Sequence, residues 1–544
     1  MSLSDAHNPD TARLAPGRAA SLAGRVRAHP LVRAAALRLP ALIPALIFLP
    51  MVLAPPLNHD VAAVLEFSQR WLAGEHLYSD LIDVNPPLIF VLNLLPAWIA
   101  DITGLDGVLA VQLCVLAWGA VSFALSLRVR DRAAESDTNR AFLDVLPLLF
   151  LLCAGYDFGQ REHLMAVSAL PYLLCAARRS TGAAPRGRIG AALFAAIGFA
   201  LKPYFLGIPL LVELAVIAGR SRGPGGLAGG VTRSLRDPVP WVLAAVWVAY
   251  VASIPVLFPD FFGVVVPLVW DFYLDRGLSV GELLLVPRMA TILCLLVPLL
   301  WWSFRRSALP APVLPRILGL AAIGGVMSVI VQHKGWTYHI LPVQLFTLGL
   351  AGTLLADWLD RQALARTAAG AYRMAGILTA GVAFFFIATG EAPWREIDYD
   401  KTQVAGLTDM LNEAAAGERV LVFSPGIYPI YPALNYAGVR ATLRTMNMWM
   451  LQGAYQTCTP GAPRYRETWE MGRPEFFVYR TVAEDFARAP PAAVVVDRQP
   501  GIPWCGSEFD FIEYFKRHPL FAEVWSHYEL TAEWDRYRLY TRKD

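Results

Sequence analysis

Ten apolar runs, each about as long as a bilayer core is thick, constrain this chain more than any other feature. They start near Leu39, Gly107, Ala141, Glu162, Ile189, Val239, Leu283, Ile317, Ile340 and Met374, and a helix needs roughly 17 to 25 apolar residues to cross the hydrocarbon. The run from Ile189 to Gly219 is too long for one crossing and holds Lys202-Pro203 in its middle. It is therefore divided into two short spans, which makes about 11 in all. Composition agrees: 56% apolar residues, 17% charged residues and a mean hydropathy of +0.44 describe a polytopic membrane protein. The net charge of +3 says little alone, because the basic residues are confined to particular loops, and nothing points to nucleic acid.

Residues 1–38 are polar, Arg-rich and interrupted by Pro and Gly, and the run behind them lacks a small-residue cleavage site. They are predicted to be a disordered cytoplasmic tail ahead of an uncleaved first span. Loop charge then sets the topology, since cytoplasmic loops collect Lys and Arg. Arg-rich loops lie at 128–140, 178–188, 219–237, 304–316 and 357–373. All fall on the tail's side only if the apolar segment 86–100 does not cross. That segment is read as a helix dipping into the outer leaflet, with Asn85 as its cap and Pro86 in its first turn. Residues 55–106 become one long external loop within a transmembrane domain spanning 39–390.

An odd number of crossings puts the C-terminus outside, and over 391–544 the composition turns soluble. RVLVFSPG (419–426) and PAAVVVD (491–497) are predicted as buried strands, YRLYTR (537–542) as an alternating strand, and 402–417 and 508–518 as helices. The result is an external α/β domain without a nucleotide fingerprint. Cys458 and Cys505 both lie in it, where an oxidising compartment permits a bridge. Cys114, Cys153, Cys175 and Cys294 sit in the spans as small apolar residues.

With this topology the external ends of the spans hold both signs of charge: Asp60, Asp157, Arg161, Glu162, His163, Lys202, Arg288, His333, Lys334 and His339. Arg288 lies several residues inside its apolar run, where an ionised group costs about 3 kcal/mol or more, so a cavity is expected beside it. Cations on the outer side oppose the positive-inside bias. A lipid phosphate at headgroup depth is the natural balancing anion, and Lys and Arg suit it. Plainer readings stand beside these. Asp60 also fits as the cap of the helix VAAVLEFSQRWLAG, Glu162 as a structural partner of Arg161 or Lys202, and Lys202 as a snorkelling side chain. Tyr78, Trp336 and Tyr338 fit as interfacial anchors, and Asp80 and Asp83 as loop solvation.

Several of these residues carry a resemblance. An acidic residue just after the first span, the element Y-S-D-x-x-D-V-N-P-P-L (78–88), the G-Q-R-E-H-L (159–164) entering the fourth span, Lys202-Pro203 and the stretch from His333 to His339 resemble the GT-C glycosyltransferases. The nearest group is that of the protein mannosyltransferases and lipid A aminoarabinose transferases. The layout is similar over most of the chain, the sequence only in these short motifs. The resemblance implies an inverting transferase of the inner (cytoplasmic) membrane, embedded among its lipids. It would take a sugar from a polyprenyl phosphate at the outer face and pass it to an envelope glycan, a lipid or a protein. It also implies that Asp60 contacts or deprotonates the acceptor. Relatives often carry Asp-Glu there, whereas this chain has Asp60-Val61, so a second carboxylate must come from elsewhere. Glu162 matches the family's acidic residue in the second external loop, with Asp157 as its substitute.

Transfer from a phosphodiester needs a base for the acceptor proton and positive charge at the departing phosphate. Lys202, Arg288, Lys334, Arg161 and His339 are the expected phosphate contacts, acting directly or through a divalent cation held by Asp60, Glu162 and His163. His59 is a further residue type that could ligate one, and the spacing of these four matches no metal motif. A glycan polymerase or ligase using a lipid-diphosphate donor shares the topology and differs in donor. A membrane transporter and a non-catalytic membrane scaffold are the remaining classes; a transporter usually shows paired halves, whereas residues 39–219 and 239–389 show no repeat, and a scaffold does not explain the clustered charges.

Overall fold

The computed structural model describes residues 30–272, 277–305, 313–362, 367–388, 398–455, 463–502 and 509–543. Helices coincide with every segment read as a span: Pro30–Leu53, Gly107–Val129, Asp137–Leu152, Arg161–Ser180, Arg188–Ala200, Gly207–Arg220, Pro238–Leu257, Pro287–Phe304, Val313–Gln332, Thr337–Arg361 and Ala368–Ala388. Among the described residues, 6 helices are both long and apolar enough to cross a membrane. Arg188–Ala200 falls short with 13 residues, and Arg161–Ser180 opens on Arg161-Glu162-His163 and ends on Arg178-Arg179. Thr337–Arg361 is the hub of the bundle, with 94% of its apolar window buried. Its neighbour Val313–Gln332 approaches Gly207–Arg220 closely through Gly324, where a Cβ would lie 2.7 Å from the Ile208 Cα.

Two boundaries differ from the sequence reading. The helix within 86–100 begins at Leu88 and closes on Gly104, whose φ of 69° is left-handed. Asn85 does not cap it. It turns back on Asp83, whose Oδ1 accepts from the Asn85 amide at 2.8 Å and from Nδ2 at 2.6 Å. The apolar run near Leu283 also breaks. Val280–Leu285 is a separate short helix with a Ser279–Glu282 capping box, and the next helix starts at Pro287. Arg288 therefore sits in the first turn of its helix, not deep inside a span.

Residues 55–106 form a folded layer between the helical bundle and the C-terminal domain. Its helix His59–Leu72 packs on Leu88–Thr103 and reaches the domain through buried charges. Glu66 Oε1 accepts from the Ala441 amide at 3.0 Å, and Arg70 donates to the Leu443 carbonyl at 2.9 Å. Arg70 also pairs with Glu75 at 2.6 Å, and Glu75 holds Arg419 at 2.9 Å. With Arg70 only 2% exposed, this network joins loop and domain as one packed unit.

The C-terminal domain carries a five-stranded sheet made of β1 (Arg419–Phe423), β2 (Arg440–Ala441), β3 (Ala493–Asp497), β4 (Tyr528–Trp534) and β5 (Tyr537–Arg542), in the order β2-β1-β3-β5-β4. β1 runs parallel to β2 and β3, while β5 is antiparallel to β3 and β4. The expected strands are present as β1, β3 and β5, and the expected helices as Gln403–Ala415 and Phe511–Lys516. The pair Cys458 and Cys505 lies outside the described residues.

Candidate active site

The first turn of His59–Leu72 places the first carboxylate. Asn58 is the cap, accepting the Asp60 amide at 3.0 Å, so Asp60 is not needed for that role. The Asp60 carboxylate accepts from Gln160 Nε2 at 2.9 Å and lies 3.7 Å from both Arg161 Nη2 and His59 Nε2. Burial pushes its pKa up, but His59, Arg161, the Gln160 hydrogen bond and Lys202 together outweigh burial and hold it below the ordinary value. Asp83 is the opposite case. Burial outweighs its Asn85 hydrogen bonds and Arg161, with Asp60 adding repulsion, and its carboxyl is pushed above the ordinary value.

Asp157 ends a short turn before the helix Arg161–Ser180 and is 1% exposed. Its Oδ1 lies 3.3 Å from Thr337 Oγ1 and its Oδ2 3.8 Å from Arg288 Nη1. One layer deeper, fully buried Glu162 accepts from Lys202 Nζ at 2.6 Å, and Lys202 also donates to Gln332 Oε1 at 3.2 Å.

These residues surround a cavity of about 730 Å³ where bundle, loop and C-terminal domain meet. Its walls carry Asp60, Asp83, Asp157, Arg161, Lys202 and Lys334, with His59, Tyr156 and Tyr338 among them. Arg161 Nη1 is buried without a hydrogen-bond partner among the described residues. The Lys202 and Arg161 cations lie 5.4 and 5.9 Å from the Tyr338 ring, and Lys334 lies 5.7 Å from the Trp336 ring. Tyr338 and Trp336 thus belong to the cavity and hold its cations over aromatic faces.

Of the residues expected from the sequence, Asp60, Asp157, Arg161, Lys202 and Lys334 line this cavity, while Glu162, His163, Arg288 and His339 stand behind its walls. Arg288 bridges Asp157 and Gln344. His339 meets the Lys334 carbonyl through Nδ1 at 3.1 Å, with Nε2 3.8 Å from Glu162. His163 is fully buried. Its Nδ1 accepts the Gly159 amide at 3.0 Å and its Nε2 donates to the Phe150 carbonyl at 3.1 Å, so both ring nitrogens are engaged. No group of 3 or more His, Cys, Asp or Glu among the described residues is placed to hold a metal. Asp60, Glu162 and His163 do not come together as such a group. Asp83, read from the sequence as loop solvation, lines the cavity, and Gln160, read only as part of a motif, holds the Asp60 carboxylate.

No protein-family model matches the sequence, and no curated protein matches it. Solved structures do. ArnT from Cupriavidus metallidurans bound to undecaprenyl phosphate matches with a TM-score of 0.51 at 15% identity, over 94% of this chain and 98% of that one. The same protein in the apo state gives 0.50 at 14% identity, over 96% and 98%. The chain has the GT-C fold. Because the match runs nearly the length of both chains, the GT-C likeness is not confined to the helical bundle.

Proposed function

We propose that this GT-C chain is an inverting glycosyltransferase of the cytoplasmic membrane, moving a sugar from a polyprenyl phosphate to an acceptor at the outer face. The observation that carries this reading is the cavity in which Arg161, Lys202 and Lys334 face Asp60, Asp83 and Asp157. The undecaprenyl phosphate bound by ArnT supports a polyprenyl phosphate as the donor's lipid. In this reading all 11 helices that coincide with apolar segments cross the membrane. The Arg-rich loops lie inside and the α/β domain outside.

The chemistry uses residues present in the cavity. Arg161, Lys202 and Lys334 take the donor phosphate. The acceptor oxygen forms a bond to the anomeric carbon from the face opposite the phosphate as the bond from that carbon to the phosphate oxygen breaks. The phosphate leaves with the electron pair, and the cations meet its new charge. The acceptor proton passes to a carboxylate. Asp83, with its raised pKa, suits that role, while Asp60 stays ionised beside the positive charge growing on the sugar. Glu162 acts through Lys202, holding Nζ toward the cavity.

The test is purified protein in nanodiscs, assayed with a panel of polyprenyl-phosphate sugars and envelope acceptors. Transfer with release of polyprenyl phosphate is expected, and EDTA is expected to leave the rate unchanged. Activity with lipid-diphosphate donors alone would overturn the donor assignment. A loss in EDTA reversed by a divalent ion would reinstate the cation. Topology is tested by a reporter active only outside the membrane. Fused at the C-terminus it should be active, and inserted at Gly225, in the Arg-rich loop, it should be silent; any other pattern rejects this arrangement.

A further inference from the structure

Charge is segregated across the cavity. Every charged lining residue comes from the first external loop or the bundle. The α/β domain contributes Pro425, Ile427 and residues of the segment Thr445–Gln452, and none of these is charged. Three of their side chains keep hydrogen-bonding groups open to a ligand. The Thr445 hydroxyl and the Gln452 amide make no hydrogen bond to any described residue. Asn447 donates through Nδ2 to the Pro425 carbonyl at 2.9 Å, leaving its carbonyl oxygen without a partner among the described residues. Half-buried Trp449 adds an aromatic ring to the same wall.

This wall is also held in place. The Met448 amide donates to the Ser424 carbonyl at 3.0 Å, and the Met448 side chain is fully buried. Arg444, at the segment's start, grips Asp485 at 3.0 Å through Nε and 2.8 Å through Nη2. Its carbonyl accepts the Ile82 amide at 2.6 Å, which ties the wall to the loop that carries Asp60 and Asp83. An ordered surface of one aromatic face and several neutral hydrogen-bonding groups matches a pyranose, which offers an apolar C–H face and an edge of hydroxyls.

We propose that the wall Thr445–Gln452 holds the ring of the donor sugar and that this sugar is an uncharged hexose. The inference rests on the reading of the cavity as a polyprenyl-phosphate sugar site. With the phosphate on the charged wall, the far side of the ring lies against the neutral one. An ammonium or carboxylate substituent turned to that wall would meet no counter-ion within it. The α/β domain thereby sets sugar specificity, while loop and bundle supply phosphate binding and chemistry.

The experiment measures binding of undecaprenyl phosphate, undecaprenyl-phosphate glucose and an undecaprenyl-phosphate aminopentose to the full chain in nanodiscs. The wild type is expected to bind the glucose lipid at least about tenfold more tightly than the bare lipid and than the aminopentose lipid. Trp449→Ala and Gln452→Ala should lose that gain and keep the affinity for bare lipid, which shows that they are folded. Gln452→Glu should shift preference toward the aminopentose by supplying a counter-ion. Wild type that prefers the aminopentose lipid, or wall variants that keep the whole gain for glucose, would overturn the proposal and leave the donor-phosphate reading standing. Failure of the wild type to bind any of the three lipids overturns both.

Discussion

Asp83→Asn and Asp60→Asn are each expected to fold, insert and bind donor, and to lose transfer by about 10² to 10⁴, the usual contribution of a positioned acid or base. Neither change touches the cap of His59–Leu72, because that is Asn58. The two variants separate in their pH profiles. A base works deprotonated, so the wild-type rate should climb as pH rises through the Asp83 pKa, which burial has moved up. In Asp83→Asn that rising limb should vanish and leave a flat residual rate. In Asp60→Asn it should persist but move to lower pH, because the Asp60 charge is one of the influences that raise the Asp83 pKa. The stability signs also oppose. Ionising Asp83 costs folding free energy as pH rises through its raised pKa, whereas Asp60 adds stability at neutral pH that is lost as pH falls through its lowered one. Near-normal transfer in Asp83→Asn, or a rising limb unchanged by it, would return the base to Asp60.

Helix existence was legible because hydrophobic runs are long and redundant: the segments read as spans are helices throughout. Helix ends were less so. Ser279-x-x-Glu282 and Pro287 mark the break before Arg288, but they lie within an apolar stretch whose length outvoted them. Strands β1, β3 and β5 were visible as apolar or alternating runs, whereas β2 is 2 residues long and β4 reads Tyr-Glu-Leu-Thr-Ala-Glu-Trp with much of it exposed. Of the site, the inventory of charged residues was legible and their facing was not. Glu162 and Arg161 are adjacent in sequence, yet Arg161 lines the cavity while Glu162 points behind Lys202, a choice set by rotation about one helix. The wall from the α/β domain left no signal, because Thr445 and Gln452 come to share a cavity with Asp60 only through tertiary packing across several hundred residues of chain.

Lys202→Ala is expected to destabilise the protein by about 3 to 5 kcal/mol, because it strands a buried carboxylate without its partner. Glu162 has no exposed surface, its Oε1 meets Lys202 at 2.6 Å, and its Oε2 has no hydrogen-bond partner among the described residues. Removing both charges is the informative change. Lys202→Met with Glu162→Gln should recover most of the stability, since a buried pair replaced by neutral groups of similar size is often no weaker. It should not recover donor binding, because the cation that faces the phosphate is gone. Glu162→Gln alone then decides between the two roles of that residue. If Glu162 positions Lys202, donor affinity should fall and KM rise, while the pH limb of Asp83 stays in place. If Glu162 is itself the second catalytic acid, kcat should drop at unchanged donor affinity. Thermal unfolding in nanodiscs, equilibrium binding of undecaprenyl phosphate and steady-state transfer, measured on the same variants, distinguish these outcomes.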